Sequence, residues 1–490
     1  MAAHPTTQGG IMRGILMAGT CSDAGKSLLS AGLCRALARR GVRVAPFKAQ
    51  NMSNNSMVCA DGSEIGRAQF LQAQAAGVEA ESAMNPVLLK PGSDRSSHVV
   101  LRGRPAGVLR AGEYTTGRAH LAEVAFAAHA ELAARFDVVV CEGAGSPAEI
   151  NLRNGDYTNM GLARAVDIPV ALVADIDRGG ALASLYGTWG LLDAADRALL
   201  DSYVINKFRG DANILEPGLQ EITRRTGMRH AGTVGWLQDV WFDGEDALEV
   251  GRWRTGHTRE DSLTVAVVRF PRISNTTDVD ALAAEPGVHV VVTTDPDTCA
   301  AADLLVLPGT RATLHDLAWL HERGISQVVA RRAVEKRPVL GICGGHQMLG
   351  EQITDGVELT GSPPTAGLGL LPHRVTFEEE KTLARPQGSW EGVEVSGYEI
   401  HHGRVDVTGG EPFPGGVRVG EVFGTLWHGA LEGDVFRRRF LTHVATATGS
   451  RWLPDLDAPG YGARREDMLE RLADAMESTD LVTALTGHSG

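Results

Sequence analysis

Two series of short apolar runs, set between longer stretches rich in Ala and Leu, order this chain. The first series falls at 14–18, 42–47, 136–141, 168–174 and 202–205, each run followed by a glycine-rich or polar loop. Short apolar runs bounded by turn residues read as strands buried on both faces, and the stretches between them as covering helices. This pattern predicts an α/β, doubly wound parallel sheet. Periodicity lapses in LEVGRWRTGHTREDS, at 248–262, where a linker is expected. A second α/β series follows at 263–270, 288–293, 303–307 and 338–342. Near 464–476 one amphipathic helix is expected, packed on one of the domains. The expected organisation is a first domain at 12–247, the linker, a second domain at 263–445 and a helical tail at 446–490.

Composition narrows this picture. A chain of 490 residues is too long for one ordinary core. With 43% hydrophobic and 22% charged residues it reads as globular. It has no run of about 18 apolar residues, and residues 1–10 lack a basic-then-apolar leader, so no membrane span and a cytoplasmic location are expected. The six cysteines, at 21, 34, 59, 141, 299 and 343, form no CxxC pair, which leaves single-thiol chemistry open. Acids outnumber bases 60 to 47, for a net charge of −13. Such a field disfavours nucleic acid, so any anionic ligand must be held by local cations or a metal.

The first domain opens on a strand, a loop and a helix. The loop Gly19-Thr20-Cys21-Ser22-Asp23-Ala24-Gly25-Lys26-Ser27 ends in GKS at a helix start. Backbone N–H groups there suit phosphates, Lys26 reaches β/γ oxygens, and the Ser27 hydroxyl suits Mg²⁺. Thr20, Asp23, Ala24, Gly25, Lys26 and Ser27 are the expected ATP contacts. The usual spacing wants glycine at position 20, but Thr20 is there and the glycine is at 19. Carboxylates at strand ends, Glu142 and Asp175, and Glu64 just beyond the second strand, are candidates to complete a metal site. Asn206, at the end of a later strand, is a candidate for an adenine edge. The loop together with VVVCEGAG resembles the dethiobiotin-synthetase-like branch of P-loop proteins, which use ATP to activate a carboxylate. That resemblance places Glu64, Glu142 and Asn206 where the branch has metal and base contacts.

The second domain carries GICGGHQMLG, at 341–350. It puts Cys343 on a strand-to-helix turn, with the Gly344 N–H as one oxyanion donor and Gly309 or Thr310, after another strand, as the second. Two histidine sites compete as base: His401 and His402 in SGYEIHHGRV, and His428 in VFGTLWHGALEG. The cysteine stretch and the His428 element resemble class I glutamine amidotransferases, which favours His428. That fold's usual acid lies two residues after the histidine, where this chain has Ala430. Glu432 is the only nearby acid; either it orients the imidazole or Cys343 and His428 act as a dyad.

Eight further blocks resemble the cobyric acid synthase (CobQ/CbiP) family: FKAQNMSNNS, EIGRAQFLQAQAAG, MNPVLLKP, EGAGSPAEINL, NMGLA, DIDRGG, INKFRGD and GYEIHHG. The resemblance implies a P-loop amidoligase fused to a glutamine amidotransferase. It implies ATP- and Mg²⁺-dependent amidation of the b, d, e and g carboxylates of adenosylcobyrinic acid a,c-diamide, with glutamine as nitrogen donor. For that corrinoid polycarboxylate, Lys48 and Arg178 are candidate cations and Asp156 a candidate orienting acid. The sister enzyme that amidates the a and c carboxylates, and a P-loop switch ATPase, are the alternatives. The KAQN block and the fused Cys/His domain speak against them.

Overall fold

The structure, a computed structural model, describes residues 12–93, 96–110, 118–238, 240, 261–357 and 363–487. The expected linker, apart from residues 261 and 262, lies outside them. The chain forms two compact units. One lies within 1–53, 59–243 and 465–490, the other within 54–58 and 244–464.

The first unit is built on a six-stranded parallel sheet. Its order is Arg229–Gly235, Leu200–Phe208, Val170–Asp175, Gly14–Gly19, Val138–Glu142, Val44–Phe47. The central strands are buried along their whole length, as their unbroken apolar runs require. The edge strand Arg229–Gly235 is only partly buried, and its mixed RHAGTVG gave no strand signal. A second, four-stranded sheet of Gln50–Met52, Val87–Ser93, Ser96–Leu101 and Arg104–Arg110 was also absent from the expectation.

Of the tail expected at 446–490, the part from 465 belongs to this unit and 446–464 to the other. Helix Tyr461–Glu477 and the following Asp480–Thr486 bury Leu469, Leu472, Met476, Leu481 and Leu485 with Leu33 and Leu37 of helix Lys26–Arg39. Each such side chain is worth about 1.5–3 kcal/mol on burial. The approach is close at Gly32, where an added Cβ would lie 2.6 Å from Leu472 O. Arg35 and Arg39 pair with Glu470 and Asp474 along the seam. These exposed pairs add about 0.2–1 kcal/mol each, so packing does most of the holding.

The second unit holds a seven-stranded sheet. Val288–Thr293, Leu263–Val268, Leu304–Leu307, Val339–Ile342 and Val422–Thr425 run parallel, and Gly416–Val419 and Glu411–Phe413 add an antiparallel edge. A four-stranded sheet containing His373–Ala384 and Glu399–Val407 lies in the same unit. In both units the chemically suggestive residues follow the carboxyl ends of parallel strands, where ligands gather in such sheets.

Candidate functional sites

In the first unit, strand Gly14–Gly19 feeds the loop and helix Lys26–Arg39. Lys26 folds back so that its Nζ donates to Cys21 O at 3.2 Å. A Cβ on Gly19 would lie 2.8 Å from that Nζ and 2.7 Å from Cys21 O. The displaced glycine is therefore where the lysine crosses the loop. Thr20 donates its N–H to Val173 O at 2.9 Å, so that amide ties the loop to the sheet. Asp23 (φ 58°) and Gly25 (φ 94°) make the left-handed turns before the helix. Asn206 reaches in from its strand and donates Nδ2 to Ala24 O at 2.8 Å, bracing the loop.

Glu142 ends strand Val138–Glu142, paired beside Met17. Its buried carboxylate accepts from the Ser27 hydroxyl at 2.7 Å, Lys48 Nζ at 2.9 Å and Gln72 Nε2 at 2.7 Å. Burial pushes this carboxyl up, but Lys48 and the three hydrogen bonds outweigh it and hold the group below its ordinary range. Ser27 and Glu142 thus present hard oxygen donors side by side, the chemistry Mg²⁺ takes. Among the described residues no cluster of three His, Cys, Asp or Glu side chains could hold an ion alone. The remaining ligands would come from phosphate and water, as is usual for Mg²⁺.

Other expected residues have different partners. Glu64 is buried in an ion pair with Lys90. Lys48, expected to face the substrate, is buried against Glu142 and serves that carboxylate. Asp156, expected to orient substrate, turns into its own loop instead. It accepts from Thr158 N–H and Oγ1, Asn159 N–H and Gly161 N–H, satisfying donors at the start of helix Met160–Val166. Arg178 stays exposed, 3.3 Å from Asp23 and 3.8 Å from Asp175. Two contributors were missed. Gln72 holds Glu142, and Lys207 (φ 62°) donates to Asp23 O and Asp175 Oδ2, each at 2.7 Å. Lys207 lies at a strand end inside INKFRGD, which was the available signal.

In the second unit Cys343 follows strand Val339–Ile342 with φ 51° and ψ −108°, a strained backbone for a residue with a side chain. The two glycines after it are steric requirements. A Cβ on Gly345 would lie 1.9 Å from Leu307 O, and one on Gly344 would lie 3.1 Å from Thr310 N. The elbow is thus pressed against the loop after strand Leu304–Leu307, which brings Gly344 beside Thr310. Gly309, expected with Thr310 as a source of the second oxyanion donor, lies next to the imidazole: an added Cβ would sit 3.1 Å from His428 Cε1.

His428 lies just past strand Val422–Thr425 and exchanges both backbone hydrogen bonds with Tyr398 at 2.9 Å. Its ring stacks on the Tyr398 ring, centroids 5.4 Å apart. The carboxylate beside this imidazole is Asp278. Its Oδ2 is 2.6 Å from His428 Nδ1, and its Oδ1 accepts the Gly429 N–H at 2.8 Å. A carboxylate only accepts, so Nδ1 carries the proton and Nε2 is left for the thiol. Burial alone drives the imidazole pKa down, but Asp278 and the Cys343 sulfur push it up to about 10.

Of the two alternatives for Glu432, this geometry disfavours its orienting the imidazole. Nδ1 is already taken, and Glu432 closes the short turn Ala430–Glu432, its N–H donating to Gly429 O at 3.0 Å. His401, the rejected base, is buried with Nε2 3.6 Å from Glu399.

Comparison with known proteins finds relatives over both regions. Residues 15–249 match a family described as the CobQ/CobB/MinD/ParA nucleotide binding domain, and residues 264–436 match the CobB/CobQ-like glutamine amidotransferase domain. The cobyric acid synthase of Cutibacterium acnes is 66% identical, covering 95% of this chain and 98% of that protein. That of Mycolicibacterium vanbaalenii is 55% identical over 98% and 97%, and that of Streptomyces coelicolor 54% over 95% and 94%. No described helix is long and apolar enough to cross a membrane. A phosphate loop with a buried carboxylate at its serine, a thiol elbow with a histidine and an acid, and full-length relatedness converge: the chain belongs to the cobyric acid synthase family of glutamine-dependent ligases.

Proposed function

We propose that the chain amidates the b, d, e and g carboxylates of adenosylcobyrinic acid a,c-diamide, consuming ATP and glutamine in the cytoplasm. At the phosphate loop, a substrate carboxylate oxygen takes the γ-phosphoryl group of ATP, giving an acyl phosphate and ADP. Lys26 follows the γ-phosphate charge, while Ser27 and Glu142 would hold Mg²⁺, which supplies charge neutralisation at the phosphates. Arg178, exposed beside the loop, is the cation best placed for an anionic substrate.

At the elbow the Cys343 sulfur attacks the glutamine amide carbon, with backbone donors of Gly344 and the 309–310 loop receiving the oxyanion. His428 takes the Cys343 thiol proton and gives it to departing ammonia; it then takes one from the water that hydrolyses the glutamyl thioester and returns it to the sulfur as glutamate leaves. Ammonia then displaces phosphate from the acyl phosphate and leaves an amide. The observation that carries this reading is the Cys343, His428 and Asp278 set in one chain with the Ser27–Glu142 phosphate site. Mass spectrometry of the product formed from the a,c-diamide, ATP, Mg²⁺ and glutamine tests it. Four successive amide-sized shifts are expected. A product that stops at zero, or amidation of the a- and c-free compound instead, contradicts it.

A further inference from the structure

Residues 54–58 precede most of the nucleotide-binding sequence, yet they pack as part of the amidotransferase unit. Here they make a strap. Asn55 Oδ1 accepts the Thr276 N–H at 3.3 Å, and Asn275 Oδ1 accepts the Ser56 N–H at 3.0 Å. Asn55, Ser56 and Asn275 are all buried, and Asn275 sits at φ 50°. These bonds grip the start of the turn Thr276–Val279, the turn that carries Asp278. A turn this short leaves its first N–H groups without internal partners, and Asn55 supplies one.

The strap's other end touches the histidine side. Val58 packs in a small apolar cluster with Tyr398 and Ile400. Tyr398 is the residue that pairs with His428 through both backbone bonds and stacks on its ring. Five consecutive residues therefore brace the acid-bearing turn and the partner of the base together.

We infer that Asn55 and Val58 are positioning residues for glutamine hydrolysis, holding Asp278 and His428 in register with each other. This inference rests on the reading of Cys343, His428 and Asp278 as the glutaminase set. It means that hydrolysis depends on chain lying more than 200 residues ahead of the matched amidotransferase region at 264–436. The titratable groups facing His428 are Asp278, Cys343 and, next to Tyr398, Glu399, which in turn meets His401.

The test uses full-length Asn55→Ala and measures glutamine hydrolysis, ammonia-dependent amidation and the pH profile of hydrolysis. Small misplacement of a catalytic group costs heavily, so kcat for hydrolysis should fall about tenfold or more, with KM changed less than about threefold. Ammonia-dependent amidation should continue, and the alkaline limb of the hydrolysis profile should move to lower pH as Asp278 loosens. In an Asp278→Asn background, Asn55→Ala should add less than about twofold, because residues acting through one another are non-additive. A wild-type hydrolysis rate, or a full additional loss in the Asp278→Asn background, overturns the inference. If wild type itself lacks hydrolysis, the underlying glutaminase reading fails instead. Should Asn55→Ala lose both activities through misfolding, Val58→Ala is measured in the same way, and wild-type hydrolysis there overturns the inference.

Discussion

Glu142 in the nucleotide-binding unit and Asp278 in the amidotransferase unit are both almost fully buried, 1% and 3% exposed, and each organises a site. Their partners differ. Glu142 is held by Lys48, together with the Ser27 hydroxyl and Gln72. Asp278 is held by an imidazole and one backbone N–H. The first arrangement keeps a carboxylate charged, as a phosphate and metal site needs. The second uses a carboxylate to hold a proton on a neighbour, as a thiol site needs. The first pairs its carboxylate with a lysine, whereas the second pairs its carboxylate with an imidazole, whose pKa the carboxylate raises.

Cys343→Ala gives the largest separation of the two sites. Glutamine-supported amidation should fall to background, since no other thiol of the described residues lies at an elbow beside His428. Ammonia-supported amidation should persist, because the acyl phosphate forms at the phosphate loop. Parallel assays with the two nitrogen sources check this, and equal loss of both would show that the sites are not separable.

Lys48→Met perturbs the other side of the comparison. Leaving Glu142 charged and unpaired costs about 3–5 kcal/mol, read as a lowered melting temperature at pH 8. In wild type the carboxyl sits below its ordinary value, so its contribution is present above about pH 4.3 and is lost as pH falls through the folded value. In the variant burial is opposed only by the Ser27 and Gln72 hydrogen bonds, so Glu142 protonates more readily than in wild type and the penalty should shrink toward pH 5. A deficit that is the same at pH 5 and pH 8 would mean that Lys48 acts through packing. Glu432→Gln is the smallest expected effect. With Asp278 on Nδ1, glutaminase kcat should change less than about threefold, and a hundredfold loss would restore the sequence-based role of Glu432.

The phosphate site was legible because most of its residues lie in one contiguous run, and strand ends supplied Glu142. The thiol and histidine were legible because local turns mark them. Asp278 was not, since it lies 150 residues before His428 and no spacing rule joins them. A signal existed nonetheless: NTTDVD follows the first strand of the second sheet, whose carboxyl end lies at the same sheet edge as the Cys343 elbow. The strand-end rule that found Glu142 would have found Asp278 had it been applied there. Asp156 misled for the opposite reason. A loop acid in a motif reads as functional, while its four hydrogen bonds are local ones that sequence does not display.

The most direct measurement is the pH dependence of glutamine hydrolysis in wild type and Asp278→Asn. In wild type the imidazolium lies above its ordinary pKa, so its contribution is complete below about pH 6.5 and disappears only as pH rises through about 10. Without the carboxylate, burial is opposed only by the Cys343 sulfur, and the ring's pKa falls. The variant should lose about a thousandfold in kcat, its alkaline limb should move to lower pH, and its ammonia-dependent amidation should remain at the wild-type rate. A variant that hydrolyses glutamine within about threefold of wild type, with an unmoved alkaline limb, would contradict Asp278 as the acid of this site.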